Sequence, residues 1–161
     1  FVAAYRRRAR LRRGEALDLE GYLQLRVATI YMDPWVSLWE LLDAPRPLPP
    51  APGPAEWAAI DAVGRWQAMR NDLASLRRDT VRGEANLVFL LRDRDGLELP
   101  AAAAAAERMA EEARAACDGR IAALPQALEG ALARWLADLL RISVRGAEAH
   151  YHRGDPRRYD R

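Results

Sequence analysis

Lysine is absent from this 161-residue chain, so all 25 basic residues are arginine. GC-rich coding explains that more simply than selection for anion binding, because the arginines are scattered along presumptive helix faces. Cysteine is nearly absent as well. The single Cys117 excludes an intrachain disulfide, suits a reducing cytoplasm and reads as a small core residue. No apolar run approaches the roughly 18 residues that cross a bilayer, and no basic-then-apolar leader opens the chain, so a soluble protein with no membrane span is expected. The chain opens on Phe1 within a charged helical pattern, and it is expected to start partway through a larger protein.

Half of the residues are apolar, alanine is abundant, and Gly and Pro concentrate outside the periodic segments. This composition favours an all-α fold of one domain. A first helical stretch, 1–13, carries Arg6, Arg7, Arg8, Arg10, Arg12 and Arg13. No aromatic residues interleave with these arginines and no DNA-binding motif follows, so a solvated helix end is preferred to a nucleic-acid partner.

Between Leu19 and Leu42, apolar residues recur at three- and four-residue steps, from Tyr22, Leu23 and Leu25 to Trp35, Leu38, Leu41 and Leu42. Pro34 biases Asp33 away from helix, giving two helical pieces with a break between them. The proline-rich stretch 44–54 reads as a stiff surface loop. A long helix follows from about Ala55 through Arg78 and onward, with Trp57, Ile60, Val63, Met69, Leu73 and Leu76 available for packing. Asn86 to Leu91 continues its apolar pattern, and Asp93-Arg94-Asp95-Gly96 reads as the closing loop, with only a faint likeness to a calcium loop. Pro100 opens another helix to about Ala123, with Glu111 and Glu112 on its wet face. A last helix is expected from near Pro125 to Tyr151, with Leu128, Leu132, Trp135, Leu136, Leu139 and Ile142 as its apolar stripe. The whole reads as an antiparallel helical bundle.

Asn71, Ser75 and Asp79 stand at i, i+4 and i+8 and so fall within about 80° of one another on one helix face. Amide, hydroxyl and carboxylate oxygens are hard ligands of the kind Mg²⁺ takes, with water and substrate phosphate filling the remaining positions. Arg78 returns to within about 20° of the direction of Asn71, within reach of a phosphate held by such an ion. On spacing alone, a polar face whose Asp and Arg residues pair with each other or with solvent is an equal reading.

The segment Asn71-Asp72-Leu73-Ala74-Ser75-Leu76-Arg77-Arg78-Asp79 resembles the second metal-binding motif of bacterial class I terpene synthases, Asn-Asp-x-x-Ser-x-x-(Lys/Arg)-(Glu/Asp). The resemblance implies that Asn71, Ser75 and Asp79 bind one of three Mg²⁺ ions, with Arg78 on the diphosphate. Arg158-Tyr159 resembles the family's Arg-Tyr pair, which hydrogen-bonds the diphosphate when the site closes. Four residues after Gly146, where many family members carry an aromatic residue, stands His150. Upstream, Tyr22-Leu23-Gln24-Leu25-Arg26 resembles the helix bearing the diphosphate-sensing arginine, which makes Arg26 the sensor. By the same likeness Thr29 takes the linker position and Ile30 the effector position, whose backbone carbonyl commonly belongs to a glycine at a helix break; here the break is marked by Pro34.

No aspartate-rich cluster occurs before Asn71, so the resemblance covers the C-terminal half of the class I terpenoid synthase fold, with one ion site of two and no turnover expected of the chain alone. The implied reaction is ionisation of a prenyl diphosphate, farnesyl diphosphate first, followed by carbocation cyclisation to a terpene. Trp66 and Phe89 are candidates for the cavity wall, although bundle aromatics are more often plain core. A homodimer is compatible with this reading. The alternative is a non-catalytic helical prenyl-binding or interaction module.

Overall fold

The computed structural model describes residues 17–30, 35, 36, 39, 42–45, 54–127 and 130–152. Five helices are defined among them, with no strand: α1 (Leu19–Thr29), α2 (Pro54–Arg82), α3 (Leu87–Asp95), α4 (Leu99–Ala127) and α5 (Gly130–His152). The arginine cluster 6–13, most of the proline-rich stretch, Leu128 and the Arg158-Tyr159 pair lie outside the described residues.

Local chemistry fixes the helix ends. Asp18 caps α1 by accepting the Gly21 N–H at 2.8 Å, and the helix closes at Ile30, whose N–H returns to the Arg26 carbonyl at 2.9 Å. α1 therefore stops before Pro34, where the sequence had marked the break. α2 opens on Pro54, whose fixed φ suits a first helical position, and it ends because Gly83 turns left-handed at φ 61°.

That stop corrects the expectation that apolar periodicity runs on through Asn86. Asn86 starts a separate helix by accepting the Val88 N–H at 3.0 Å. Asp93 to Asp95 belong to α3, not to a loop, and Gly96 at φ 64° caps it; Asp93 and Asp95 pair with the neighbouring Arg92 and Arg94 and form no calcium loop. α4 likewise runs past the expected Ala123 to Ala127. Pro125 stands in its last turn, where the lost backbone bond falls at the frayed end of the ladder.

The core forms around α2. Ile60, Val63 and Trp66 from its first half pack with Cys117, Ile121 and Leu124 from the second half of α4, whereas Met69 packs with Ala102, Ala106 and Ala110 from the first half of α4. The two helices therefore run antiparallel. The alanine side chains, four residues apart, make a narrow strip that lets α2 and α3 approach closely.

α5 joins the first cluster through Leu136, Leu140 and Val144. Ile142, placed by the sequence on that stripe, is 63% exposed, because two residues from Leu140 is about 200° around the helix. Trp57 is exposed for a similar reason, about 100° from buried Glu56, and Leu42 is exposed also. Glu111 and Glu112 are on the wet face as expected.

α1 is tied to α2 by Arg65, which reaches Asp61 on its own helix and both carboxylate oxygens of Glu20 at 2.5 and 2.7 Å. The Arg65 hydrogen bond holds the Glu20 carboxyl down at about 2.

Cys117 is fully buried, and burial pushes its thiol up to about 12. Since the thiolate is the nucleophile, a disulfide reagent at pH 8 is expected to leave the native protein unlabelled and to react fully once urea unfolds it. Rapid labelling of the native state would show that the α2–α4–α5 core opens readily.

Candidate functional site

Four segments converge on one cleft of about 330 Å³: the end of α1, α2 from its middle onward, the connection after it and the end of α5. Arg26, Thr29 and Ile30 line it from α1, and Asn71, Arg78 and Asp79 from α2. Gln67, Glu84, Ala85 and Tyr151 complete the wall. Each described residue expected to serve as metal ligand, diphosphate contact, linker or effector is thus at or directly beneath this cleft. Ser75 is the one beneath, fully buried, with its hydroxyl donating to Asp79 Oδ2 at 2.6 Å.

The row on α2 is held by neighbours on every side. Asn71 Oδ1 accepts from Arg26 Nη2 at 2.7 Å, which brings together two residues 45 positions apart. Asp79 receives four donors. Arg78 Nε and Nη2 meet Oδ1 at 3.0 and 2.9 Å, while Ser75 and the Asn86 amide meet Oδ2 at 2.6 and 2.9 Å. Thr29 Oγ1 donates to the Arg26 carbonyl at 3.1 Å, fastening the linker position to the sensor's own backbone.

Beside the row lies a buried hub that the motif spacing did not single out. Asp72, 1% exposed, accepts the Tyr22 hydroxyl at 2.5 Å and the Leu87 N–H at 3.0 Å on Oδ2, and its Oδ1 lies 2.6 Å from Arg26 Nη2. That last contact is an ion pair off hydrogen-bond alignment, and among the described residues Asp72 Oδ1 and Arg26 Nε have no hydrogen-bond partner.

Electrostatics follow from this burial. Desolvation, together with the adjacent Asp72 charge, drives the Tyr22 phenol well above its ordinary value and keeps it a proton donor. Desolvation also works against the Arg26 charge, but Asp72 and Tyr22 outweigh it and hold the guanidinium above its ordinary range. Burial pushes the Asp72 carboxyl up, against the opposing pull of Arg26, Tyr22 and the Leu87 amide.

Tyr22, Asp72, Asn86, Gln67 and Glu84 are the members that sequence reasoning missed. Two carried a local signal: Asn86 stands directly before an apolar run, as an N-cap does, and Tyr22 lies one helical turn before Arg26. Trp66 and Phe89 do not line this cleft. Trp66 is buried in the core beneath the Arg114 guanidinium, and Phe89 carries Arg92 at 5.5 Å. His150 is exposed at the end of α5, its ring meeting the cleft residue Tyr151 edge-on at 5.0 Å.

The donor set fits a hard divalent cation. The row offers one amide, one hydroxyl and one carboxylate, and among the described residues no group of three or more His, Cys, Asp or Glu side chains forms a rival site.

An all-helical fold and a polar cleft at the Asn71–Asp79 segment are what the resemblance to terpene synthases leads one to expect. Residues 1–116 match terpene synthase family 2, C-terminal metal binding, and the chain belongs to this family. The matched segment contains Arg26 and the whole α2 row and ends within α4. No curated protein and no solved structure gives a match. No helix among the described residues is long and apolar enough to cross a membrane.

Proposed function

We propose that this chain grips the diphosphate of a prenyl substrate, with farnesyl diphosphate the first candidate, in a Mg²⁺-dependent class I terpene cyclase. The observation that carries the reading is the bond from Arg26 Nη2 to Asn71 Oδ1, which joins the expected sensor to the first expected metal ligand in one cleft.

Asn71, Ser75 and Asp79 are the residues to hold Mg²⁺, which when bound neutralises charge on the departing diphosphate. Arg26 and Arg78 supply charge-assisted donors to the phosphate oxygens, as planar guanidinium groups do for such anions. Arg158 and Tyr159 are proposed as further diphosphate ligands. Thr29 and Ile30, at the end of α1, transmit the seating of Arg26 to the backbone of the cleft wall. The family's allylic substrates lose diphosphate to leave a carbocation, and cyclisation follows in a water-poor cavity.

Calorimetric titration with inorganic diphosphate tests this grip. Affinity is expected to rise by about 100-fold or more when Mg²⁺ replaces EDTA, because the ion contributes several kcal/mol of charge stabilisation. Binding indifferent to Mg²⁺ would refute the ion-mediated site.

A further inference from the structure

Asn86 is 1% exposed, and all its side-chain hydrogen-bonding groups are engaged in different directions. Its Oδ1 caps α3 at Val88, while its Nδ2 donates to the Asp72 carbonyl at 2.8 Å and to Asp79 Oδ2 at 2.9 Å. The capping function needs only the oxygen. The two donated bonds instead reach back 14 and 7 residues onto the helix that carries the ligand row.

The effect on Asp79 is directional. Oδ2 is bonded by two buried side chains, Ser75 and Asn86, whereas Oδ1 is bonded by Arg78, which lines the cleft together with Asp79. Oδ1 is thus the oxygen on the side of the cleft-lining Arg78.

Resting on the ion site proposed above, we infer that Asn86 is a positioning residue for that site, fixing Asp79 Oδ2 so that Asp79 meets the cation through Oδ1. Ligating carboxylates need such outer partners, and losing one typically weakens metal binding by about 10- to 100-fold. Ser75 keeps its own lone pairs for the ion, because its proton is the part donated to Oδ2.

Asn86→Ser separates the two roles, because serine still caps a helix but is too short to bond Asp79. Mn²⁺ binding, followed by the free-ion electron paramagnetic resonance signal with inorganic diphosphate present, is expected to weaken about tenfold. Leu91→Ala provides the control: it removes buried α3 packing without touching Asp79, so it lowers stability and leaves Mn²⁺ affinity unchanged. A folded Asn86→Ser variant with wild-type Mn²⁺ affinity would overturn the inference, as would equal losses in both variants.

Should the serine variant not fold, Asn86→Asp keeps the cap and sets a second carboxylate against Asp79 Oδ2. Its metal-free thermal midpoint is expected to fall, and Mn²⁺ to raise it by less than in the wild type, because a site that binds more weakly gains less from the same ion concentration. Equal increments would overturn the positioning role. Failure of the wild type itself to bind Mn²⁺ would remove the ion site and this role together, whereas normal wild-type binding with an unaffected serine variant removes only the role.

Discussion

Asp72→Ala is expected to destabilise the protein by about 3–5 kcal/mol, read as a lower urea midpoint at unchanged slope, because it breaks a buried ion pair from one side. The alanine would leave the Arg26 guanidinium without its counter-charge, and it would orphan the Tyr22 hydroxyl and the Leu87 N–H. The Tyr22 hydroxyl and the Leu87 N–H have Asp72 as their acceptor, and among the described residues Arg26 would keep only its bond to Asn71. Burial already pushes the Asp72 carboxyl up, so the charge is held there at a cost, and the penalty lies in breaking the arrangement. Asp72→Asn separates the terms. It retains acceptor oxygen for Tyr22 or Leu87 but removes the charge facing Arg26, and it is expected to fall between the alanine variant and the wild type. A loss below about 1 kcal/mol for Asp72→Ala would mean that α1, α2 and the start of α3 are held together by the apolar packing of Tyr22, Met69 and Leu87 and by the Arg65–Glu20 pair, with little contribution from Asp72.

The contrast between Asp72 and its neighbours shows how far the chain can be read without coordinates. Asn71, Ser75 and Asp79 were legible because helical spacing alone puts them in one row, and α2 is long and uninterrupted through all three. The convergence of Arg26 on that row was reachable only by resemblance, since nothing local links residues 45 positions apart. Asp72 was named within the motif but given no role, because its partners Tyr22 and Leu87 are 50 and 15 residues away and belong to other helices. The break after Arg82 was obscured because Leu87, Val88 and Leu91 continue an apolar pattern that the left-handed Gly83 and the Asn86 cap redirect into a new helix. Ile142 was misplaced because hydrophobicity stood in for direction, and the buried stripe on α5 follows Leu132, Leu136, Leu140 and Val144 instead.

Asn71→Ala combined with Ser75→Ala should cost far more in ligand binding than in stability. Two of the three proposed oxygen ligands disappear, and affinity for inorganic diphosphate in the presence of Mg²⁺ is expected to drop by about 100-fold or more, measured by calorimetry. Stability should fall by only about 1–2 kcal/mol, since Asp79 keeps its bonds to Arg78 and Asn86 and Arg26 keeps its ion pair with Asp72. That divergence is what distinguishes an ion site from a polar helix face of purely structural value, for which binding and stability would decline together or binding would not change. The single variants refine the assignment. Asn71 lies on the cleft and bonds Arg26, so Asn71→Ala loosens the sensor as well as the ion, whereas Ser75 is buried beneath Asp79 and acts only on the row. Diphosphate binding that persists unchanged in the double variant would place the anion on Arg26 and Arg78 without a cation at this row.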